Sequence, residues 1–275
     1  MPVWRAQGRI SNFAPRPHAV GLYQPGSPGN TIIPVTPIQM TMRTRKFYDF
    51  NVHSAPEFHD SPQEMAKVAS VYGYAGIAIT NHTPHPPHPP HTRQLPQDAC
   101  DSKLTVYSGV EIVAKNPHHL RQMIRKYRAE VSVLAVHGGS EKVNRAALET
   151  PAVDILAHPG ERLNQVLMRL ASDNGVAIEF NLDSIIRVRG AQRVRSLTEF
   201  RHNLKLARKY GAPVVLTSNA QSIYDLRAPR EMIALATIAG MTVDEAITAL
   251  STVPDAIIKQ GSENRIMDGV EIVSR

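Results

Sequence analysis

The sequence predicts an α/β fold, a single barrel of about seven parallel strands with helices around it. Seven short apolar runs recur along the chain, separated by segments of helical length. The first run begins at Phe47, and the others are Tyr74–Thr80, Thr105–Val110, Val131–Val136, Val153–Ala157, Val176–Ile178 and Pro213–Thr217. Each run finishes on His, Asn or Glu. Because the carboxyl ends of parallel strands meet at one mouth of a barrel, we expect these polar residues to lie together.

The segments between the runs carry helix signals. Ser61-Pro62-Gln63-Glu64 combines a capping serine, a proline and a third-position glutamate, and Gly73 is placed to end the same helix. Its buried stripe is predicted to be Met65, Val68, Ala69 and Tyr72. Further helices are predicted at 116–128, at 161–174 with Leu163, Val166, Leu167 and Leu170 inward, through Leu197, Phe200, Leu204 and Ala207, and at 232–239, 242–250 and 253–259.

One domain is predicted, at residues 46–260. Residues 1–45 contain scattered Pro, Gly, Ser and Asn without a regular period, and they are predicted to be a disordered N-terminal extension. A basic RNA-binding arm and a misassigned start at Met40 or Met42 are the alternatives. Residues 261–275 are predicted to be a C-terminal tail, with an added strand at 269–273 as one option. The histidine–proline segment 83–98 is expected to be an exposed loop, although such tracts can bind metal.

Charge and cysteine content narrow the class of protein. The formal net charge is +7 and the isoelectric point is about 9.6, which favours an anionic partner, nucleic acid before a membrane surface. A single cysteine, Cys100, excludes an internal disulfide and a cysteine-based zinc site. No run approaches the ~18 apolar residues of a membrane span, and the first residues lack the apolar core of a signal peptide. The sequence therefore predicts a soluble cytoplasmic protein with no membrane partner.

Five of the polar residues that follow the runs are potential metal ligands. They are His53, His82, Glu111, His137 and His158, whose imidazole and carboxylate groups hold divalent metals in many proteins. The order of these motifs resembles the polymerase-and-histidinol-phosphatase (PHP) superfamily. That resemblance implies a TIM-barrel-like, distorted barrel of seven strands that binds two or three metal ions for phosphoester hydrolysis.

The chain departs from the superfamily pattern at four positions. Where the pattern reads H-x-H, T-D-H and G-S-D-A-H, this chain has Asn51-x-His53, Thr80-Asn81-His82 and Thr217-Ser218-Asn219-Ala220-Gln221. Amides therefore replace ligands at Asn51, Asn81, Asn219 and Gln221, and an amide cannot neutralise the charge of a cation. We predict a buried polar network at the mouth, with no bound metal and no catalytic residue. A metal-dependent PHP-type phosphoesterase is the alternative.

Seven longer stretches are more specific than the single motifs. They are FYDFNVHS at 47–54, GIAITNH at 76–82, GVEI at 109–112, ILAHP at 155–159, EFN at 179–181, KYGAPVVLT at 209–217 and DLRAPRE at 225–231. Together they resemble the archaeal ribonuclease P protein component 3 family over roughly residues 45–259.

This second resemblance implies a protein subunit of ribonuclease P, the ribonucleoprotein endonuclease that removes the 5′ leader from precursor tRNA. It implies that the RNA subunit carries the catalytic site and its Mg²⁺, so that the protein binds no cofactor of its own. It also implies that this subunit pairs with protein component 2, that two such heterodimers associate into a heterotetramer, and that further protein subunits join them.

Basic residues gather in the second half of the chain, where Glu199 is the only acid between Asp183 and Asp225. By the resemblance, they neutralise RNA phosphates or contact the protein partner. The predicted contact residues are Arg187, Arg189, Arg193, Arg195, Lys205, Arg208, Arg227 and Arg230. A solvated basic face is the alternative, with salt bridges to Asp225 and Glu231 in the case of Arg227 and Arg230. Non-specific nucleic-acid binding is a third possibility.

Overall fold

A computed structural model describes residues 45–87, 104–160 and 162–262. Nearly all of the predicted N-terminal extension and most of the histidine–proline segment lie outside these residues. The predicted C-terminal tail, including the optional strand at 269–273, lies outside them almost entirely. The helix at the C-terminal end reaches Ser262, two residues beyond the predicted domain boundary.

Seven strands form one sheet in the order in which they occur along the chain, and every neighbouring pair is parallel. The strands are β1 Tyr48–Val52, β2 Gly76–Ile79, β3 Thr105–Val113, β4 Val133–His137, β5 Ile155–Ala157, β6 Ala177–Asn181 and β7 Val214–Thr217. The sheet closes through a parallel bridge between Val52 and Ala220, where the backbone N–H of His53 donates to the Ala220 carbonyl at 2.8 Å. The predicted parallel barrel is confirmed.

Nine helices are described around this barrel. They are α1 Pro62–Val71, α2 Pro117–Tyr127, α3 Glu141–Leu148, α4 Gln165–Asn174, α5 Asp183–Ile186, α6 Gly190–Tyr210, α7 Pro229–Ala239, α8 Val243–Leu250 and α9 Thr252–Ser262. The first six follow β1, β3, β4, β5 and β6, and the last three follow β7. No described helix has both the length and the apolar composition needed to cross a membrane.

Side-chain caps explain where several helices begin. Ser61 and Glu64 form the predicted capping box at α1, and Thr242 and Glu245 form another at α8. At α2, the side chain of Asn116 accepts a hydrogen bond from the backbone N–H of His119 at 2.9 Å. These caps satisfy N–H groups that a helix start otherwise leaves unpaired, and they therefore stabilise the predicted starts of α1, α2 and α8.

The barrel interior is filled by side chains from successive strands. The rings of Tyr48 and Phe50 in β1 lie against Tyr107 of β3, with centroids 6.4 and 5.9 Å from the Tyr107 centroid, and they lie 5.6 Å from each other. Ile257 of α9 joins the same buried cluster, and the Tyr48 hydroxyl donates to Asp255 Oδ1 at 3.3 Å. The barrel interior is therefore a packed core and not a ligand cavity.

Several sequence predictions are wrong in detail. Tyr72 is 39% exposed and Val166 is 47% exposed, although both were assigned to buried stripes. Tyr72 is the C-cap of α1, and Val166 is the second residue of α4, which starts later than predicted because Asn164 caps it. Glu111 and Glu179 lie inside β3 and β6 rather than after them, and α3 and α5 are helices that were not predicted.

Candidate functional site at the barrel mouth

The carboxyl ends of the strands bring the predicted polar residues together. His53 follows β1, Asn81 and His82 follow β2, and Asn219 lies just beyond β7. Glu111 points into the same region from within β3, while His137 ends β4 and His158 follows β5. We call His53, His82, Glu111, His137 and His158 the mouth cluster. Gln221 lies farther along the β7–α7 loop, where its backbone N–H donates to Asp225 Oδ2 at 3.2 Å.

Glu111 is the centre of the mouth cluster and is completely buried. Its Oε1 lies 2.5 Å from His137 Nδ1, 3.4 Å from His82 Nε2 and 3.9 Å from His158 Nε2. Burial alone would raise the pKa of the Glu111 carboxyl, but hydrogen bonds to His137 and His82 hold that pKa well below its ordinary value. The carboxylate is therefore ionised at neutral pH and needs a positive group beside it.

His82 supplies that positive charge. Its Nδ1 lies 2.7 Å from Glu57 Oε1 and its Nε2 lies 3.4 Å from Glu111 Oε1, so each ring nitrogen faces a carboxylate. Burial lowers the pKa of His82, but the hydrogen bonds and charges of Glu111 and Glu57 outweigh burial and raise the pKa to about 9. An imidazolium at this position satisfies both carboxylates.

The free energy of unfolding should depend on pH through His82 and the carboxylates of Glu57 and Glu111 that face it. The raised pKa of His82 contributes stability that is complete below about pH 6.5 and is lost as the pH rises through about 9. Burial raises the pKa of Glu57, but its hydrogen bonds to His53 and His82 outweigh burial and lower that pKa to about 2. The lowered pKa contributes stability that is complete above about pH 4.5 and is lost as the pH falls toward 2. We therefore expect the urea concentration at the unfolding midpoint to decrease below about pH 4.5 and to decrease above about pH 6.5. The alkaline fall should disappear in His82→Asn, and an unchanged alkaline fall would contradict the assignment.

The amides at three of the degraded ligand positions are held in hydrogen bonds. Asn51 Nδ2 donates to Glu179 Oε1 at 2.7 Å, and Asn51 Oδ1 accepts from the Thr80 hydroxyl at 2.8 Å. Asn81 Oδ1 accepts from the backbone N–H of Ser54 at 2.8 Å. Asn219 Oδ1 lies 3.0 Å from His53 Nε2. The oxygen atoms that could replace lost ligands are therefore already engaged within the protein.

The metal ions of the PHP superfamily can be tested against this geometry. Two groups of three donors lie close enough to surround an ion among the described residues, namely His53–Glu57–His82 and His82–Glu111–His137. Both groups need His82, whose two nitrogens each face a carboxylate, and in the second group His137 Nδ1 is already hydrogen bonded to Glu111. The residues do not fit a group of two or three ions.

Two residues of the mouth adopt a backbone conformation that side chains rarely take. His158 has φ of 43° and Asn219 has φ of 51°. Such conformations outside glycine persist where surrounding contacts enforce them, and they concentrate at functional sites. At His158 the backbone N–H donates to Glu179 Oε2 at 3.0 Å, which fixes this turn.

Three acidic residues of the mouth, Asp49, Glu57 and Glu179, are not among the predicted site residues, although Glu179 follows one of the predicted strands. Asp49 is fully buried and accepts from the Ser218 backbone N–H at 3.2 Å, and burial raises its pKa to about 6. Glu179 accepts from Asn51, from the Thr217 hydroxyl at 2.6 Å and from the His158 backbone. The acid Asp49 inside an apolar run was a usable signal, and Glu179 directly follows the run Val176–Ile178. Glu57 lies in a loop and carries no such signal.

The predicted basic contact residues divide into bonded and free groups. Arg187 pairs with Asp183 and Asp225, with its Nη2 3.0 Å from Asp225 Oδ2, and Arg208 pairs with Glu245 at 2.7 Å. Arg193 donates to the carbonyls of Ile185 and Ile186. Arg189, Arg195, Lys205 and Arg230 are exposed and form no ion pair within the described residues.

Arg227 and Arg230 do not form the alternative salt bridges. Asp225 is paired with Arg187, and Glu231 accepts from the backbone N–H of Ala228 at 3.0 Å. Arg227 Nη1 donates instead to the carbonyls of Tyr224 and Leu226, at 2.7 and 2.8 Å. Both arginines thus keep positive charge that no carboxylate in the described part of the chain neutralises.

A comparison with protein families decides the family. A model described as RNase P subunit p30 matches residues 46–265, which include the whole barrel. The chain belongs to the RNase P subunit p30 family. The ribonuclease P protein component 3 of Methanococcoides burtonii is 47% identical over 237 residues, which are 84% of this chain and 95% of that protein. The component 3 of Methanosarcina mazei is 43% identical over 234 residues, with coverages of 83% and 96%.

Solved structures share the fold of this p30 family member. A chain in a cryo-EM structure of archaeal ribonuclease P with mature tRNA matches with a TM-score of 0.64 and 27% identity, covering 83% of this chain and 98% of that chain. A Xaa-Pro dipeptidase with bound methionine matches with a TM-score of 0.52 and 11% identity, covering 80% and 76%. This second likeness extends to the fold alone.

Proposed function

We propose that this chain is a cytoplasmic protein subunit of ribonuclease P, the ribonucleoprotein that removes the 5′ leader from precursor tRNA. The observation that supports this most is the match of 83% of the chain to a subunit of archaeal ribonuclease P, together with curated relatives that are ribonuclease P protein component 3. We expect cleavage to take place on the RNA subunit with its Mg²⁺, and we assign no catalytic residue to this chain.

The basic residues provide the physical means by which the subunit would act. Folded RNA brings phosphates close together, and guanidinium groups reduce their repulsion without reading sequence. Arg227 and Arg230 have no carboxylate partner among the described residues, and Arg230 lies in the first turn of α7, where the helix dipole adds positive potential. Arg189, Arg195 and Lys205 would add to this binding, whereas the paired Arg187 and Arg208 would contribute less.

A metal-dependent phosphoesterase of the PHP type is not favoured. Its ions would need ligands at positions where amides are already hydrogen bonded, and the mouth cluster carries an imidazolium between two carboxylates. We therefore propose that the cluster stabilises the barrel. The heterodimer with protein component 2, and its assembly into a heterotetramer with the RNA and other subunits, belong to the same proposal.

Reconstitution tests the proposed function. The cognate RNA, protein component 2 and the other subunits are combined with or without this chain, and cleavage of precursor tRNA is measured at limiting Mg²⁺. We expect the complete mixture to cleave at least ~10-fold faster, because charge neutralisation lowers the ion concentration that RNA folding needs. Equal rates with and without the chain would contradict the proposal.

A further inference from the structure

The β7–α7 loop exposes an aromatic side chain that neither the mouth cluster nor the barrel core uses. Tyr224 is 82% exposed, the highest value among the described large apolar side chains that lie on the surface. A single exposed apolar residue is common and implies nothing by itself. Its significance depends on how the loop is held and on which groups surround it.

Hydrogen bonds fix the backbone on both sides of Tyr224. Before it, the Ile223 N–H donates to Asp60 Oδ2 at 2.8 Å. After it, Arg227 Nη1 donates to the Tyr224 and Leu226 carbonyls, and the Tyr74 hydroxyl donates to the Arg227 carbonyl at 2.8 Å. A loop without regular structure is thus held in one conformation, so that binding through Tyr224 costs little additional ordering.

A second set of bonds ties the same loop to the segment after β6. Asp225 Oδ2 accepts from the Ser222 hydroxyl at 2.8 Å and faces Arg187 Nη2 at 3.0 Å. Arg187 also pairs with Asp183, so Asp183 and Asp225 share this guanidinium, while Asp60 accepts from the Ile223 N–H. The positive group shown beside Tyr224 is that of Arg227, whose Nη1 lies 2.7 Å from the Tyr224 carbonyl, and the exposed Arg230 follows three residues later along the chain.

We propose that Tyr224 stacks on an unpaired RNA base while Arg227 and Arg230 hold the flanking phosphates. This inference rests on the proposed function and adds the kind of RNA that this surface fits. An exposed aromatic ring beside guanidinium groups matches single-stranded RNA, whose bases can stack on the ring and whose phosphates bind arginine. A duplex keeps its bases stacked inside the helix and offers only phosphates and hydroxyls.

Binding of short RNAs to the full-length chain tests the stacking. Wild type and Tyr224→Ala are titrated with a single-stranded oligouridylate and with a blunt RNA duplex. We expect Tyr224→Ala to weaken binding of the single strand roughly 10-fold, to leave duplex binding unchanged and to leave the salt dependence unchanged, because no charge is lost. Tyr224→Phe should bind like wild type. Tyr72→Ala, which removes another exposed tyrosine from the C-cap of α1, is the matched control and should also bind normally.

A fluorescence measurement reports the contact directly. Trp4 is the single tryptophan, so Tyr224→Trp in a Trp4→Phe background places the one indole in the loop. Stacking predicts quenching by the single strand and little quenching by the duplex. Unquenched emission together with a normal RNA affinity of Tyr224→Ala would overturn the inference. A Tyr224→Ala variant that bound RNA normally but bound protein component 2 weakly would also overturn it. Weaker RNA binding by Arg227→Gln/Arg230→Gln would still support the proposed function, whereas RNA binding unaffected by any of these changes would contradict both.

Discussion

Replacement of Glu111 by alanine is expected to lower the free energy of unfolding by about 3–5 kcal/mol. The carboxylate is fully buried and hydrogen bonded to His137, and it balances the charge of His82. Its removal leaves the imidazolium with Glu57 alone and opens a cavity beneath four imidazole rings. Urea unfolding at neutral pH measures the loss.

One further variant separates charge from volume in this experiment, and another serves as a control. Glu111→Gln keeps the size of the side chain, so a loss close to that of Glu111→Ala would assign the effect to the missing charge. The loss in Glu111→Gln should shrink above about pH 9, where His82 becomes neutral. Glu149→Ala, an exposed glutamate at the end of α3, should change stability by less than ~0.5 kcal/mol. Equal stability of wild type and Glu111→Ala would contradict the role given to the mouth cluster.

The double substitution Arg227→Gln/Arg230→Gln is expected to weaken binding of the RNA subunit by roughly 100-fold at low salt, on the order of tenfold for each lost phosphate contact. Neither guanidinium has a carboxylate partner among the described residues, so both are available to phosphates. The slope of log affinity against log salt should decrease by about two, one for each lost contact. Filter binding over a range of salt concentrations measures both quantities.

The matched control removes the same formal charge elsewhere. Arg145→Gln/Arg169→Gln changes one arginine that lies between Glu141 and Glu149 and one that lies over the Tyr210 ring. This variant should bind RNA within a few-fold of wild type, although its net charge equals that of the test variant. If both variants weakened binding equally, the effect would come from net charge and not from the β7–α7 loop.

The barrel and the location of its mouth could be predicted because each strand is an apolar run that finishes on a polar residue. His53, His82 and His137 are found together for that reason, since the carboxyl ends of parallel strands converge. The degraded ligand positions could likewise be recognised from neutral amides in the motifs. The fold and the positions of these residues therefore follow from local sequence and from the geometry of a parallel sheet.

The partners of individual side chains could not be predicted in the same way. Glu57 reaches His82 across 25 residues, and Arg187 meets Asp225 across 38, so both contacts depend on the closed barrel. Arg128 is the C-cap of α2, and its guanidinium pairs with Asp154, 26 residues away along the chain, and donates to nearby carbonyls. Composition indicates how much positive charge the chain carries, whereas tertiary contacts determine which arginines remain free.

Cleavage of precursor tRNA by the reconstituted enzyme shows whether the arginines or the mouth cluster carry the activity, when three versions of this chain are compared. The versions are wild type, Arg227→Gln/Arg230→Gln and His137→Asn, which changes a partly exposed member of the mouth cluster. We predict that His137→Asn supports cleavage at the wild-type rate and that the arginine variant loses most of the stimulation at limiting Mg²⁺ and moderate salt. The reverse pattern, with cleavage lost in His137→Asn and kept in the arginine variant, would contradict this prediction.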